Sequence, residues 1–216
     1  MTDKTTPLAI YDFDGTLING DSIVAYLRSA CRAGLLKKSA LVMSALRGVL
    51  SKTGLIDPQL AKARAMSALA ACAAPDRLRA FDLDFAAGLY SRIRQDGLRQ
   101  LERDRREGYM ILLVTASTDN YMVPLAQRLD VDALICTKTD ELKNPGSNCR
   151  GREKARRVRE YLKQNGISPD WARSRAYADS ASDLALLSLT GQPFLVCPKR
   201  SAVRRSHGQW PILTWR

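Results

Sequence analysis

Ile10-Tyr11-Asp12-Phe13-Asp14-Gly15-Thr16-Leu17-Ile18-Asn19-Gly20-Asp21 is the stretch on which the fold turns. The apolar run Leu8-Ala9-Ile10 leads into it and ends at Asp12-Phe13-Asp14, before Gly15-Thr16. That pattern predicts a buried strand, residues 7–13, entering a tight turn. Residues two apart on an extended chain point the same way, so Asp12 and Asp14 are expected to converge. Two carboxylates brought together repel unless a proton or a cation lies between them. The alternative is a solvated acidic turn, and the residues at later strand ends decide between the two.

Downstream, the pattern is first helical and then alternates. Helices are expected over Ile23–Ala33, Lys37–Lys52, Pro58–Cys72 and Pro75–Gln95, broken at Gly34, Thr53-Gly54 and Ala73-Ala74-Pro75. Four helices between two strands make an inserted helical subdomain, not a single crossover. Then come the strand Met110–Val114, the helix Asp119–Leu129 and the strand Asp132–Cys136. A turn-rich loop at Asn144-Pro145-Gly146-Ser147-Asn148 precedes the basic helix Arg152–Asn165. The strand Arg175–Ala178, the helix Ser182–Leu189, the strand Pro193–Cys197, a helical turn at Ser201–His207 and an edge strand at Trp210–Trp215 complete the chain. The expected fold class is α/β: a doubly wound parallel sheet, Rossmann-like, with an inserted helical bundle.

Composition narrows the function. The chain of 216 residues is long enough for one core and an insertion. Five cysteines without a CxxC, and a single His, argue against zinc and for reduced thiols in a cytoplasmic protein. No signal peptide or membrane span is expected. The net charge of +12 favours anionic partners. Aromatics are sparse and not interleaved with the basic runs, so no nucleic-acid partner is expected. Contact with an anionic membrane stays open through Ala40–Leu50, an apolar segment flanked by Lys37, Lys38 and Lys52. A buried helix of the inserted bundle is the preferred reading of that segment.

Ligands of such sheets bind at the carboxyl ends of strands. There the chain delivers Asp12 and Asp14, then Thr115-Ala116-Ser117 ahead of a helix, then Asp179 and Asp183 one helical repeat apart. Hydroxyls and backbone N–H groups before a helix suit a phosphate. Lys154 opens the basic helix. As many as four carboxylates against one lysine call for a divalent cation, and an all-oxygen set points to magnesium.

Asp12-Phe13-Asp14-Gly15-Thr16, the hydrophobic run ending in Thr115, Lys154 and Asp179-Ser180-Ala181-Ser182-Asp183-Leu184 together resemble the four motifs of the haloacid-dehalogenase-like hydrolase superfamily. The runs DFDGTLINGDS, VTAS and YADSASDLALL are most similar to its phosphoserine-phosphatase-like branch, subfamily IB. The resemblance implies a catalytic core of residues 1–17 and 98–216, with residues 18–97 forming the first type of cap. It also implies an aspartyl-phosphate on Asp12, with Asp14 as acid and then base. Thr115, Ala116 N–H, Ser117 and Lys154 would hold phosphoryl oxygens. Magnesium would lie between Asp12, the Asp14 carbonyl and Asp179, with Asp183 holding a metal-bound water or orienting Lys154. The implied activity is a magnesium-dependent phosphatase of a small phosphorylated metabolite.

Alternatives on the same fold are a phosphatidylglycerophosphate-type lipid head-group phosphatase and a phosphotransferase. A receiver-like module phosphorylated on Asp12 without turnover is disfavoured by Asp14. Asp21 matches a carboxylate that meets the substrate amine in phosphoserine phosphatases, and it equally suits the N-cap of the first helix. The fourth motif reads ADSASD where those enzymes usually have GDGAND. Arg28, Arg47 and Arg64 are candidates, unranked, for a substrate carboxylate.

Overall fold

The computed structural model describes residues 5–52, 54–144 and 146–216. Thr53 and Pro145, which fall in the expected helix break and the expected turn, lie outside the described residues.

Strand β1 (Leu8–Tyr11) is buried along its whole length and pairs in parallel with β2 (Met110–Thr118) and β4 (Arg175–Ala178). With β3 (Ala133–Thr137), β5 (Gln192–Val196) and β6 (Ile212–Leu213) they form a six-stranded parallel sheet in the order β3-β2-β1-β4-β5-β6. The strand order reverses direction beside β1, so the crevice expected in a doubly wound sheet opens at the end of that strand. Alternation along the strands feeds two cores. Ala9, Tyr11, Ile111 and Leu113 face one layer, and Leu8, Ile10, Leu112 and Val114 face the other.

The second layer holds α7 (Arg152–Gln164), α8 (Leu184–Leu187) and α9 (Arg200–Arg205). The first holds α5 (Gln95–Arg106), α6 (Asp119–Leu129) and a group of helices between β1 and α5: α1 (Ser22–Arg32), α2 (Lys38–Lys52), α3 (Pro58–Ala70) and α4 (Pro75–Tyr90). Within that group α2 packs on α3 and α1, while α4 packs on α6. The segment leaves and re-enters the sheet layer side by side: Ile18 bridges Ile93, and the Arg94 N–H donates to the Leu17 carbonyl at 2.8 Å.

That bridge corrects the expected helix Pro75–Gln95. The helix ends at Tyr90, the chain turns to meet Ile18, and a separate helix, α5, begins at Gln95. The polar run QDGLRQLERDRR conceals α5 because its buried face is partly polar. Asp104 is fully buried and accepts hydrogen bonds from Tyr11 Oη (2.5 Å), Tyr177 Oη (3.1 Å) and Gln100 Nε2 (2.9 Å), and pairs with Arg175 Nη1 at 2.5 Å. A buried charge satisfied on this scale has its desolvation offset.

Strand β2 also runs past the expected end at Val114. Its pairing with β3 shifts register between Val114 and Thr118, so Thr115-Ala116-Ser117 form a bulged strand end and α6 begins only at Asp119.

The expectation of a buried helix over Ala40–Leu50 does not hold. Val42, Met43, Leu46 and Val49 are exposed on one face of α2. The opposite side carries Ala40, Ser44, Gly48 and Ser51, all half-buried, and Ala40 and Leu41 pack against the core. Ser44 and Ser51 bond the Ala40 and Gly48 carbonyls of their own helix.

Candidate active site

Asp12 follows β1 directly and its N–H donates to the Tyr177 carbonyl of β4 at 3.0 Å, so the sheet itself fixes its position. The residue is 4 % exposed. Lys154 Nζ donates to Oδ1 at 2.6 Å and Thr16 Oγ1 to Oδ2 at 3.0 Å. Lys154 reaches the site from the first turn of α7 and also lies 2.8 Å from Asp183 Oδ1. That oxygen has charge compensation but no hydrogen bond. Asp183 Oδ2 accepts from Ser180 Oγ at 2.5 Å and Ser182 Oγ at 3.2 Å within the 3₁₀ turn Ala181–Asp183. Asp179, at the end of β4, pairs with Lys199 Nζ at 2.6 Å.

The two carboxylates of the opening motif are held by different partners. β1 ends at Tyr11, and beyond it the amides of Thr16, Leu17 and Ile18 converge on the Phe13 carbonyl, so the alternation of a strand no longer applies. Asp14 Oδ1 accepts from the Ser22 N–H at 2.6 Å, and Oδ2 from Ser117 Oγ. Three carboxylates form the acidic cluster instead: Asp12, Asp179 and Asp183 each offer an oxygen within 4.8 Å of the others.

Burial sets the electrostatics. It pushes Asp12 up to about 7, aided by Asp183 and Asp179 and opposed by Lys154. Burial also disfavours the Lys154 ammonium, but Asp12 and Asp183 outweigh it, so Lys154 is held well above the ordinary lysine value and stays charged. Against its own burial, Asp183 is drawn below the usual carboxylate range by Lys154 and the two serines. Asp14 is raised by burial and by the neighbouring charge of Asp21. Two ammoniums, Lys154 and the largely exposed Lys199, face three carboxylates and leave the cluster one positive charge short. Three buried carboxylates, hard oxygen donors only, with an oxygen of each within 4.8 Å of the others, fit a divalent cation such as magnesium.

Gly15 is required by this packing. Its φ is +84°, and a Cβ built there would lie 2.3 Å from Asp179 Oδ2. Gly15→Ala is expected to displace Asp179, lower activity by about 10²-fold and cost about 1–2 kcal/mol of stability. Thermal melts alongside magnesium titration of turnover check both parts.

At Thr115-Ala116-Ser117, where a phosphate cradle is expected, the chain turns. The Ser117 N–H donates to Thr115 Oγ1 at 3.0 Å, and Ser117 Oγ is shared among Asp14, Ser22 Oγ (2.6 Å) and, through Ser22, Tyr121 Oη (3.1 Å). Asp21 is exposed and N-caps α1, accepting from the Ile23 and Val24 N–H groups at 3.1 and 3.3 Å. Among the basic residues of the inserted helices, the one brought to the site is Lys62 of α3, not Arg28, Arg47 or Arg64. Its Nζ donates to the Ala116 carbonyl and to Asn148 Oδ1 (2.7 Å). Burial lowers it to about 8, with Asp14 and Asp21 opposing. Nothing in the local sequence separates Lys62 from its seven basic neighbours over residues 22–75.

At its switch point the parallel sheet thus carries an acidic cluster with a buried lysine beside it. The chain belongs to the haloacid dehalogenase-like hydrolase family, whose model matches residues 9–188. It is 30% identical over 200 residues to protein CicA of Caulobacter vibrioides, covering 86% of this chain and 83% of that one. Its fold resembles a Bordetella pertussis Tohama I protein of unknown function with a TM-score of 0.85 at 21% identity, over 98% of this chain and 99% of that one. A substrate-bound phosphoserine phosphatase complex aligns with a TM-score of 0.65 at 16% identity, over 98% and 95% of the two chains. Among the described residues, no helix is long and apolar enough to cross a membrane.

Proposed function

We propose that the chain is a magnesium-dependent phosphomonoesterase acting on a small phosphorylated metabolite through an aspartyl-phosphate on Asp12. The observation that carries this reading is the environment of Asp12: a buried carboxylate at the switch point of the sheet, 2.6 Å from Lys154 Nζ, with Asp179 and Asp183 beside it. The likeness in fold to a phosphoserine phosphatase supports it.

In the first step an Asp12 carboxylate oxygen attacks phosphorus and the bond to the leaving oxygen breaks. Asp14, favoured in its protonated form by its raised pKa, gives its proton to that oxygen. In the second step Asp14, now a carboxylate, takes a proton from water, whose oxygen attacks phosphorus and releases Asp12. Lys154, Thr115, the Ala116 N–H and Ser117 hold the phosphoryl oxygens, on which the transition-state charge spreads. Magnesium, held by Asp12, Asp179 and the Asp14 carbonyl with Asp183 nearby, would supply further positive charge against the phosphoryl group. In this reading α1–α4 form a cap over the site, residues 18–97, and Lys62 carries that cap onto the phosphate turn. Hydrolysis of an aryl phosphate with and without magnesium tests the activity; absence of metal-dependent turnover on a panel of phosphorylated metabolites would contradict it.

Asp21 gives a finer test. Replacing it with Asn keeps a good N-cap and removes a charge that holds the Asp14 carboxyl up. The Asp14 proton is then lost at lower pH. The alkaline limb of kcat/KM for an alkyl phosphate should therefore move to lower pH in Asp21→Asn; an unmoved limb would disconnect Asp14 from the acid role.

A further inference from the structure

We propose that the outer face of α2 docks on an anionic lipid bilayer. Amphipathic helices in globular proteins turn their apolar side inward. In α2 the order is reversed. Val42, Leu46 and Val49 recur at helical spacing on the solvent side, 65%, 50% and 60% exposed, with Met43 beside them. Leu55, after the helix, is 74% exposed, and Leu60 of α3 is 44% exposed. Most of the exposed large apolar side chains among the described residues thus fall between residues 42 and 60. On the inner side of α2, Ala40 and Leu41 pack against the core. A patch of this kind on a soluble fold marks an interaction surface.

Charge selects the occupant. Over residues 22–75 the chain carries eight Lys or Arg and a single acid, Asp57. Asp57 is already committed, capping α3 through the Gln59 N–H at 2.7 Å. Lys37 and Lys38 stand exposed at the start of the patch and Arg47 is half-buried on the same helix. A twofold contact between two copies of this face would set lysines against lysines with no acid to pair them. An anionic bilayer offers an apolar interior for Val42, Leu46 and Val49 and phosphates for the lysines, the combination that holds amphipathic helices in the interface plane. With no membrane-crossing helix among the described residues, the contact is peripheral.

Binding is measured without turnover, so its outcome is independent of the phosphatase reading. Flotation of the full chain with phosphatidylglycerol–phosphatidylcholine vesicles at low salt is compared with phosphatidylcholine vesicles alone. The wild type should float with the anionic vesicles only and be released as salt is raised to about 0.5 M. Leu46→Glu/Val49→Glu and Lys37→Glu/Lys38→Glu, both on exposed positions, should each weaken flotation at least about tenfold while circular dichroism stays unchanged. Absence of flotation at low salt, or flotation of either variant equal to that of the wild type, would overturn the proposal. So would a wild-type dimer in light scattering that Leu46→Glu/Val49→Glu converts to a monomer, since a second copy would then own the face.

Discussion

Asp12→Asn is expected to fold normally and to lose turnover by about 10⁴-fold or more. The Asn oxygen can still accept from Lys154, its amide nitrogen can donate to the Thr16 hydroxyl where Oδ2 now accepts from it, and Lys154 keeps Asp183 at 2.8 Å. What disappears is the carboxylate at the end of β1 that forms and releases an acyl phosphate. The stability of the metal-free protein should move the other way. Burial raises Asp12 from its ordinary 3.8 to about 7. Between those values the folded chain binds the proton more tightly than the unfolded one, so this group lowers stability as pH rises from about 4 to about 7. Asn removes that slope. Metal-free Asp12→Asn should therefore melt no lower than the wild type at neutral pH and lie closest to it at acidic pH. Metal-dependent turnover retained by Asp12→Asn would exclude Asp12 as the nucleophile.

Lys154→Met combines the second large loss of activity with a loss of stability. It leaves Asp12 and Asp183, both almost fully buried, without the ammonium they share. Removing one partner of a buried ion network costs about 3–5 kcal/mol. The lower end is expected here, because Asp12 can take up a proton and shed its charge. A cost of about 3 kcal/mol corresponds to roughly 6–12 °C in melting temperature for a chain of this size. Turnover should fall by about 10³-fold or more, because one of the fixed charges facing the phosphoryl oxygens is gone. Lys154→Arg keeps the charge but not the point geometry, and should recover stability more than activity. If Lys154→Met melts like the wild type, the buried network does not hold the site together.

The gathering of Asp12, Lys154, Asp179 and Asp183 in the candidate site was legible because these residues sit beside strand ends and a helix start that the sequence pattern marks. Asp12 and Thr115 each follow an apolar run that reads as a buried strand, Asp179 follows the short strand Arg175–Ala178, and such ends meet at one edge of a parallel sheet. Lys154 followed from the helix after Gly151. The partners of each carboxylate were not legible. Asp14 turns to Ser22 and Ser117 because the chain curls about the Phe13 carbonyl, and no two-residue alternation describes a curl.

Other features stayed hidden for reasons of energetics. Helix α5 escaped because its buried face includes Asp104, whose burial is justified only by Tyr11 of β1, Tyr177 and Arg175 of β4, and Gln100 of its own helix. The apolar residues of α2 pointed to burial, yet only Ala40 and Leu41 are packed against the core while Val42, Met43, Leu46 and Val49 face outward. Lys62 is one basic residue among many until α3 is laid against Ala116 and Asn148. Long-range contact decides each of these, and local periodicity carries no record of it.

A phosphoryl group residing on Asp12 is the step on which the whole mechanism depends. Acid quench of the wild type during turnover of an aryl phosphate with magnesium, followed by borohydride reduction and peptide mass spectrometry, reads this directly. The expected result is homoserine at position 12, dependent on substrate and absent from Asp12→Asn. Trapping of the phosphoryl group at another residue, or brisk turnover with Asp12 never modified under any quench, would contradict it.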